Sequence, residues 1–249
     1  MRHRVAVGVL VLLAALFCWM MYQVALDAPA GVDRRRALGI ARMALGLAVV
    51  WIGVGGGLMV LGREAVRARV LALGWNWRVT FVLSCILLAC LEEAVTVTLT
   101  NLAPLFGSRV GEAYITASAN YLDVILLHSV VVFIPYFLVL AWILGRWDFS
   151  PFAVFLSFGI VGTAGEAIFA GNLGIVLGFA MWIFVYGLMV WLPVCCLPAG
   201  RGARPVGWVG HLVLPFAVFG LAMPMIVPMV YVISVVLGHP AIDFAPQGG

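Results

Sequence analysis

The chain has 249 residues, of which 65% are hydrophobic and 10% charged, with a formal net charge of +4. A helix needs roughly 20 mostly apolar residues to cross ~30 Å of hydrocarbon, and stretches of that length recur throughout, which leaves no room for a sizeable soluble domain. The positive charge lies in short loops beside helix ends, so it speaks for a bilayer and against nucleic acid; the absence of lysine excludes a retinal Schiff base.

The fold class expected is all-α: a polytopic transmembrane helix bundle of about seven helices, with residues 1–249 as a single integral membrane domain. The first helix is expected over Val5 to Leu26, after Arg2, His3 and Arg4. Ala28-Pro29-Ala30 has the spacing of a signal-peptide cleavage site, but an apolar run of ~22 residues exceeds a normal signal core. The second helix is expected over Ala37 to Gly62. Its Gly53, Gly55, Gly56 and Gly57 offer a small-residue packing surface. A basic connection then covers Arg63 to Trp77, where Arg63, Arg67 and Arg69 are spaced for one side of a short interfacial helix. The segment reads first as an ordinary topology determinant, and alternatively as a site for anionic lipid headgroups, at ~1 kcal/mol per arginine.

The third helix is expected over Arg78 to Asn101, followed by a polar loop from Leu102 to Tyr121. The fourth covers Leu122 to Gly145, the fifth Pro151 to Ala170, the sixth Leu173 to Cys196 and the last Trp208 to Leu237. Pro215, Pro224 and Pro228 break the backbone ladder of that last helix. Arginine counts place the N-terminus in the cytoplasm and the C-terminus outside. Arg34, Arg35 and Arg36 fall on the outer side and contradict the rule, with Asp27 and Asp33 close by in sequence. The arginine- and alanine-rich, lysine-free composition is that of a GC-rich prokaryote, and the expected location is its cell membrane.

Function is expected to sit where polar groups enter the apolar helices. An acidic residue at mid-membrane costs ~2.5–3.5 kcal/mol, whereas each Leu, Ile, Phe or Val returns only ~0.3–0.6. Glu92 and Glu93, adjacent in the third helix, must therefore be protonated, paired, or turned to a wet interior. At ~1.5 Å per residue, Glu92 lies ~21 Å from Arg78, in the outer half. Asp123 stands near the mouth of the fourth helix with His128 ~7 Å deeper. Glu166 lies just below the outer end of the fifth, on one face with Gly159 and Gly162. Asn101, Asn120 and Asn172 mark the same boundary. Glu92, Glu93, Asp123, His128 and Glu166 are thus the candidate proton- or cation-binding residues. Glu112 and Asp123 also read as plain loop residues, and His128 as interhelical glue.

The five cysteines show no disulfide framework or zinc spacing, and no nucleotide loop or nucleophile motif occurs. Cofactor and metal are unassigned by the sequence. The Glu92-Glu93 pair on one helix and His128 on the next partly resemble the CAAX-type prenyl endopeptidase family, in which carboxylates and histidines assemble a catalytic centre within the membrane. His239 and Asp243 supply a further His-x-x-x-Asp. Val97 stands where the first motif has arginine and Val124 where the second has phenylalanine. His239 and Asp243 also lie beyond the last helix, and the family's site faces the cytoplasm. Three readings result: a proton-, cation- or small-solute-binding or transport protein, a structural subunit of a membrane complex, and the metal-dependent hydrolase that the resemblance implies. A chain this short suits a homo-oligomer.

Overall fold

A computed structural model describes residues 2–169 and 173–244. Seven helices among the described residues are long and apolar enough to cross a membrane, so the chain is a multi-pass membrane protein with an all-α bundle. They are α1 (Arg2–Asp27), α2 (Val32–Ala72), α3 (Trp77–Asn101), α4 (Tyr121–Leu144), α5 (Pro151–Phe169), α6 (Phe179–Cys195) and α7 (Trp208–Val236).

The helices run up and down, which sorts the connections onto two ends. At the strand end, Trp147–Asp148 pairs in parallel with Arg204–Pro205. There the Arg201 side chain donates to the carbonyl of Leu144 and forms an ion pair with Asp148. A cleft of about 380 Å³ at this end is lined by Trp75, Trp77, Phe81, Pro193 and Cys196. Residues 28–36, 102–120 and 237–244 make up the opposite, loop end.

The second helix corrects the sequence reading. No interfacial helix separates at Arg63; instead α2 runs unbroken for 41 residues, about 60 Å at 1.5 Å per residue. That is roughly twice the hydrocarbon thickness, so its basic part extends past the apolar layer. Arg63 pairs with Glu64 at 2.7 Å, while Arg67 is partly buried beside Cys195 and Cys196 and Arg69 is exposed. In mid-helix, Ala48–Gly55 widens into a π-helical stretch, and Trp51 donates its indole N–H to the Val185 carbonyl of α6 at 3.0 Å. Of the nearby glycines, Gly56 meets Leu188 while Gly57 faces open space.

Packing centres on α6, the most enclosed helix, with α1 and α7 at the periphery. The α5–α6 pair is the tightest in the bundle. A Cβ at Gly159 would lie 2.5 Å from the backbone of Ile183, and one at Gly162 2.2 Å from the Tyr186 ring. Lipid offers no hydrophobic drive for helix association, so small residues that let backbones approach carry the contact. Phe133, Phe137, Phe158 and Tyr186 fill the space between α4, α5 and α6 with tilted and edge-on rings.

The loop end absorbs the arginines that contradicted the charge rule. Arg35 pairs with Glu112 at 3.0 Å, and Arg36 lies over the ring of Tyr114. Arg34 donates to the Ala28 carbonyl, and Arg42 to that of Phe106. The long 102–120 loop thus partners Arg35, Arg36 and Arg42, while Arg34 turns back to Ala28. Glu112 is no plain loop residue, since its side chain is only 8% exposed.

Candidate functional site

Two polar groups form between the helices. The first is acidic. Glu92 and Glu93 of α3 are 4% and 6% exposed, and each feels the charge of Glu166 on α5. The Glu93 carboxylate accepts from the hydroxyls of Thr96 at 2.9 Å and Thr116 at 3.3 Å, and Ser129 of α4 faces it. The Tyr186 hydroxyl of α6 donates to Glu166. Trp182, one turn earlier, stacks on Tyr186, and its buried indole N–H has no acceptor among the described residues.

Local sequence explains this placement. The Gly159 and Gly162 face lets α6 approach close enough for Tyr186 to reach Glu166, seven residues along the same face. Tyr186 is the residue sequence reasoning missed. The glycines signalled a close neighbour without saying which helix supplies it. Thr116 comes from the loop, which is tied down by Asn101 donating to Ala119 and by the Ile115 N–H donating to Thr100.

The second group is Asp123, His128 and His239, whose ligand atoms lie within 4.8 Å of one another. The Asn120 side chain caps α4 by accepting from the N–H groups of Leu122 and Asp123. A carboxylate in that first turn suits the helix dipole. His128 then meets Asp123 at 3.2 Å. Five residues apart in an α-helix would put these side chains ~140° from each other. Val124–His128 is instead a π-helical turn, whose wider spacing brings positions i and i+5 together.

His239 reaches the group through the end of α7. The N–H of Leu237 bonds to Val232 and that of His239 to Ile233, around Gly238 at φ +65°. This left-handed glycine cap reverses the chain and sets His239 3.0 Å from Asp123 and 2.9 Å from His128. The tail is then held down: the Asp243 N–H donates to the Ala117 carbonyl at 2.8 Å, and Phe244 stacks on Tyr114.

The five residues singled out in the sequence therefore fall into two neighbouring sets. Among the described residues no hydrogen bond or ion pair joins Asp123 or His128 to the glutamates. The sets share a wall, because Ser129 faces Glu93 while the preceding His128 belongs to the histidine group. Asn172 lies outside the described residues. The cleft lined by Trp75, Trp77 and Phe81 sits at the strand end, apart from both sets.

No family model, curated protein or solved structure matches the chain. Membership of the endopeptidase family is not shown. Of the residues quoted for that resemblance, His128 and His239 lie 2.9 Å apart beside Asp123, and the Asp243 N–H bonds to the Ala117 carbonyl.

Proposed function

We propose that the protein binds a proton, a cation or a cationic small solute at Glu92, Glu93 and Glu166, and that this binding serves transport across the cell membrane. One observation carries the reading. Glu92 and Glu93 lie buried in an apolar bundle within electrostatic reach of Glu166, and among the described residues none of the three has a basic partner. Their neighbours are the hydroxyls of Thr96, Thr116, Ser129 and Tyr186, which share hydrogen bonds but cannot neutralise charge. Ionised carboxylates in such surroundings cost several kcal/mol each. Protons or a bound cation must therefore supply the missing positive charge. In this reading the chain is one membrane unit with its N-terminus in the cytoplasm and the acidic group open toward the outside.

Melting curves in detergent test it, with wild type compared against Glu92→Gln/Glu93→Gln at pH 5 to 9, with and without sodium. Glutamine keeps size and hydrogen bonding but takes up no proton. A folded state that retains protons the unfolded chain releases loses stability as pH rises, and a cation bound only by the folded state restores it by mass action. Wild type is expected to fall with pH and recover with cation, while the variant stays flat. Parallel curves with no cation effect would make the glutamates interhelical glue, worth only ~0.6 kcal/mol per hydrogen bond, and favour the structural-subunit reading.

A further inference from the structure

We infer that Asp123, His128 and His239 form a binding site for one first-row transition-metal ion of the zinc type. His128 Nε2 and His239 Nε2 are 2.9 Å apart, His128 Nε2 is 3.2 Å from Asp123 Oδ2, and His239 Nε2 is 3.0 Å from Asp123 Oδ1. Each ring nitrogen carries at most one hydrogen. If both Nε2 atoms are protonated, the carboxylate is satisfied, but two N–H groups face each other across 2.9 Å. If only one is protonated, the lone pair of the other points at a carboxylate oxygen, and a proton placed on that oxygen takes up the single lone pair that the neighbouring ring would need. No assignment turns all three approaches into hydrogen bonds. A cation at the centre uses all three groups as lone-pair donors and leaves the ring protons on Nδ1.

The donor set selects the metal class. Two imidazoles and one carboxylate suit zinc and its neighbours, whereas calcium and magnesium favour sites built almost wholly of oxygen. Tetrahedral ligands at about 2.0–2.2 Å from zinc lie roughly 3.4 Å from one another, so a spread of a few tenths of an ångström accommodates the ion. The side chains are 8–15% exposed, enough shelter to hold an ion and enough opening at the loop end to admit one. Three elements are built to converge here: the π turn of α4, the Gly238 cap and the tail bond from Asp243 to Ala117. The inference goes beyond the acidic group and does not depend on it.

The test is equilibrium dialysis of the chelator-stripped full chain in detergent against zinc, with bound metal counted per chain. About one zinc per chain is expected, resistant to excess magnesium or calcium. Loss of a supporting outer-shell group alone commonly weakens metal sites 10–100-fold, so His239→Ala and Asp123→Asn should each weaken binding by more than about 100-fold. His239 lies beyond the last helix and Asn is isosteric with Asp, so both variants should stay folded and melt cooperatively without metal. Cys195→Ser/Cys196→Ser and Glu92→Gln/Glu93→Gln should bind zinc as wild type does, and a cobalt-loaded sample should lack thiolate charge-transfer absorption. No stoichiometric zinc on wild type, or undiminished zinc on His239→Ala, overturns the site. Zinc lost with the cysteines assigns it to those thiols and also overturns it. Zinc lost with the glutamates alone overturns it too, while supporting the acidic group as the cation site.

Discussion

Glu112 illustrates how one residue settles the loop end. Partial covering tends to push its carboxyl up, but the Arg109 backbone N–H, the Arg35 guanidinium and the Ser108 hydroxyl together hold it below the ordinary carboxylate range. A carboxyl lowered in the folded state contributes stability that is present above its unfolded pKa, ~4.3, and lost as pH falls through the folded value. Glu112→Gln should therefore be less stable than wild type at neutral pH, and the gap should close as pH falls below about 4. Melting curves from pH 3 to 7 read this directly. A gap that is constant with pH would mean that Glu112 acts through packing alone. In the sequence Glu112 looks like a plain loop residue, because its partner Arg35 lies 77 positions away.

Among the elements, the α5–α6 pair offers the sharpest test of packing. A Cβ at Gly162 would press into the inner atoms of the Tyr186 side chain, whereas one at Gly165 meets nothing within 4 Å. Gly162→Ala should destabilise by about 1–3 kcal/mol, the usual range for overpacking, and should move the Tyr186 hydroxyl away from Glu166. Gly165→Ala should be neutral or stabilise slightly, since alanine is favoured over glycine in a helix by up to ~1 kcal/mol. Thermal denaturation of the two variants checks the contrast, and equal effects would show that α6 does not depend on that close approach. The three π-helical stretches among the described residues, at Ala48–Gly55, Val124–His128 and Val232–Val236, act on the same scale. Each changes the phase of a helix, so a face counted at 100° per residue no longer predicts the facing of residues beyond the stretch. Asp123 and His128 show the consequence.

On the scale of the whole molecule, the up-and-down order fixes which connections share an end, and arginine counts supply the proposed orientation. Reporter fusions at Arg69, Gly107, Arg146 and Gly202 should read inside, outside, inside and inside. An outside signal at Arg69 would invert the protein and turn both polar groups toward the cytoplasm. The membrane class, the seven spans and their order are legible in the sequence. Hydropathy is a local sum over roughly 20 residues. Tertiary structure alone brought Tyr186 to Glu166 and Arg35 to Glu112, and divided the five candidate residues between an acidic group and a histidine group. These are choices among partners far apart in sequence, made by the close approach of α5 and α6, the widened turn at His128 and the left-handed cap at Gly238. No local sum contains them, because each depends on how far one helix can approach or rotate against another.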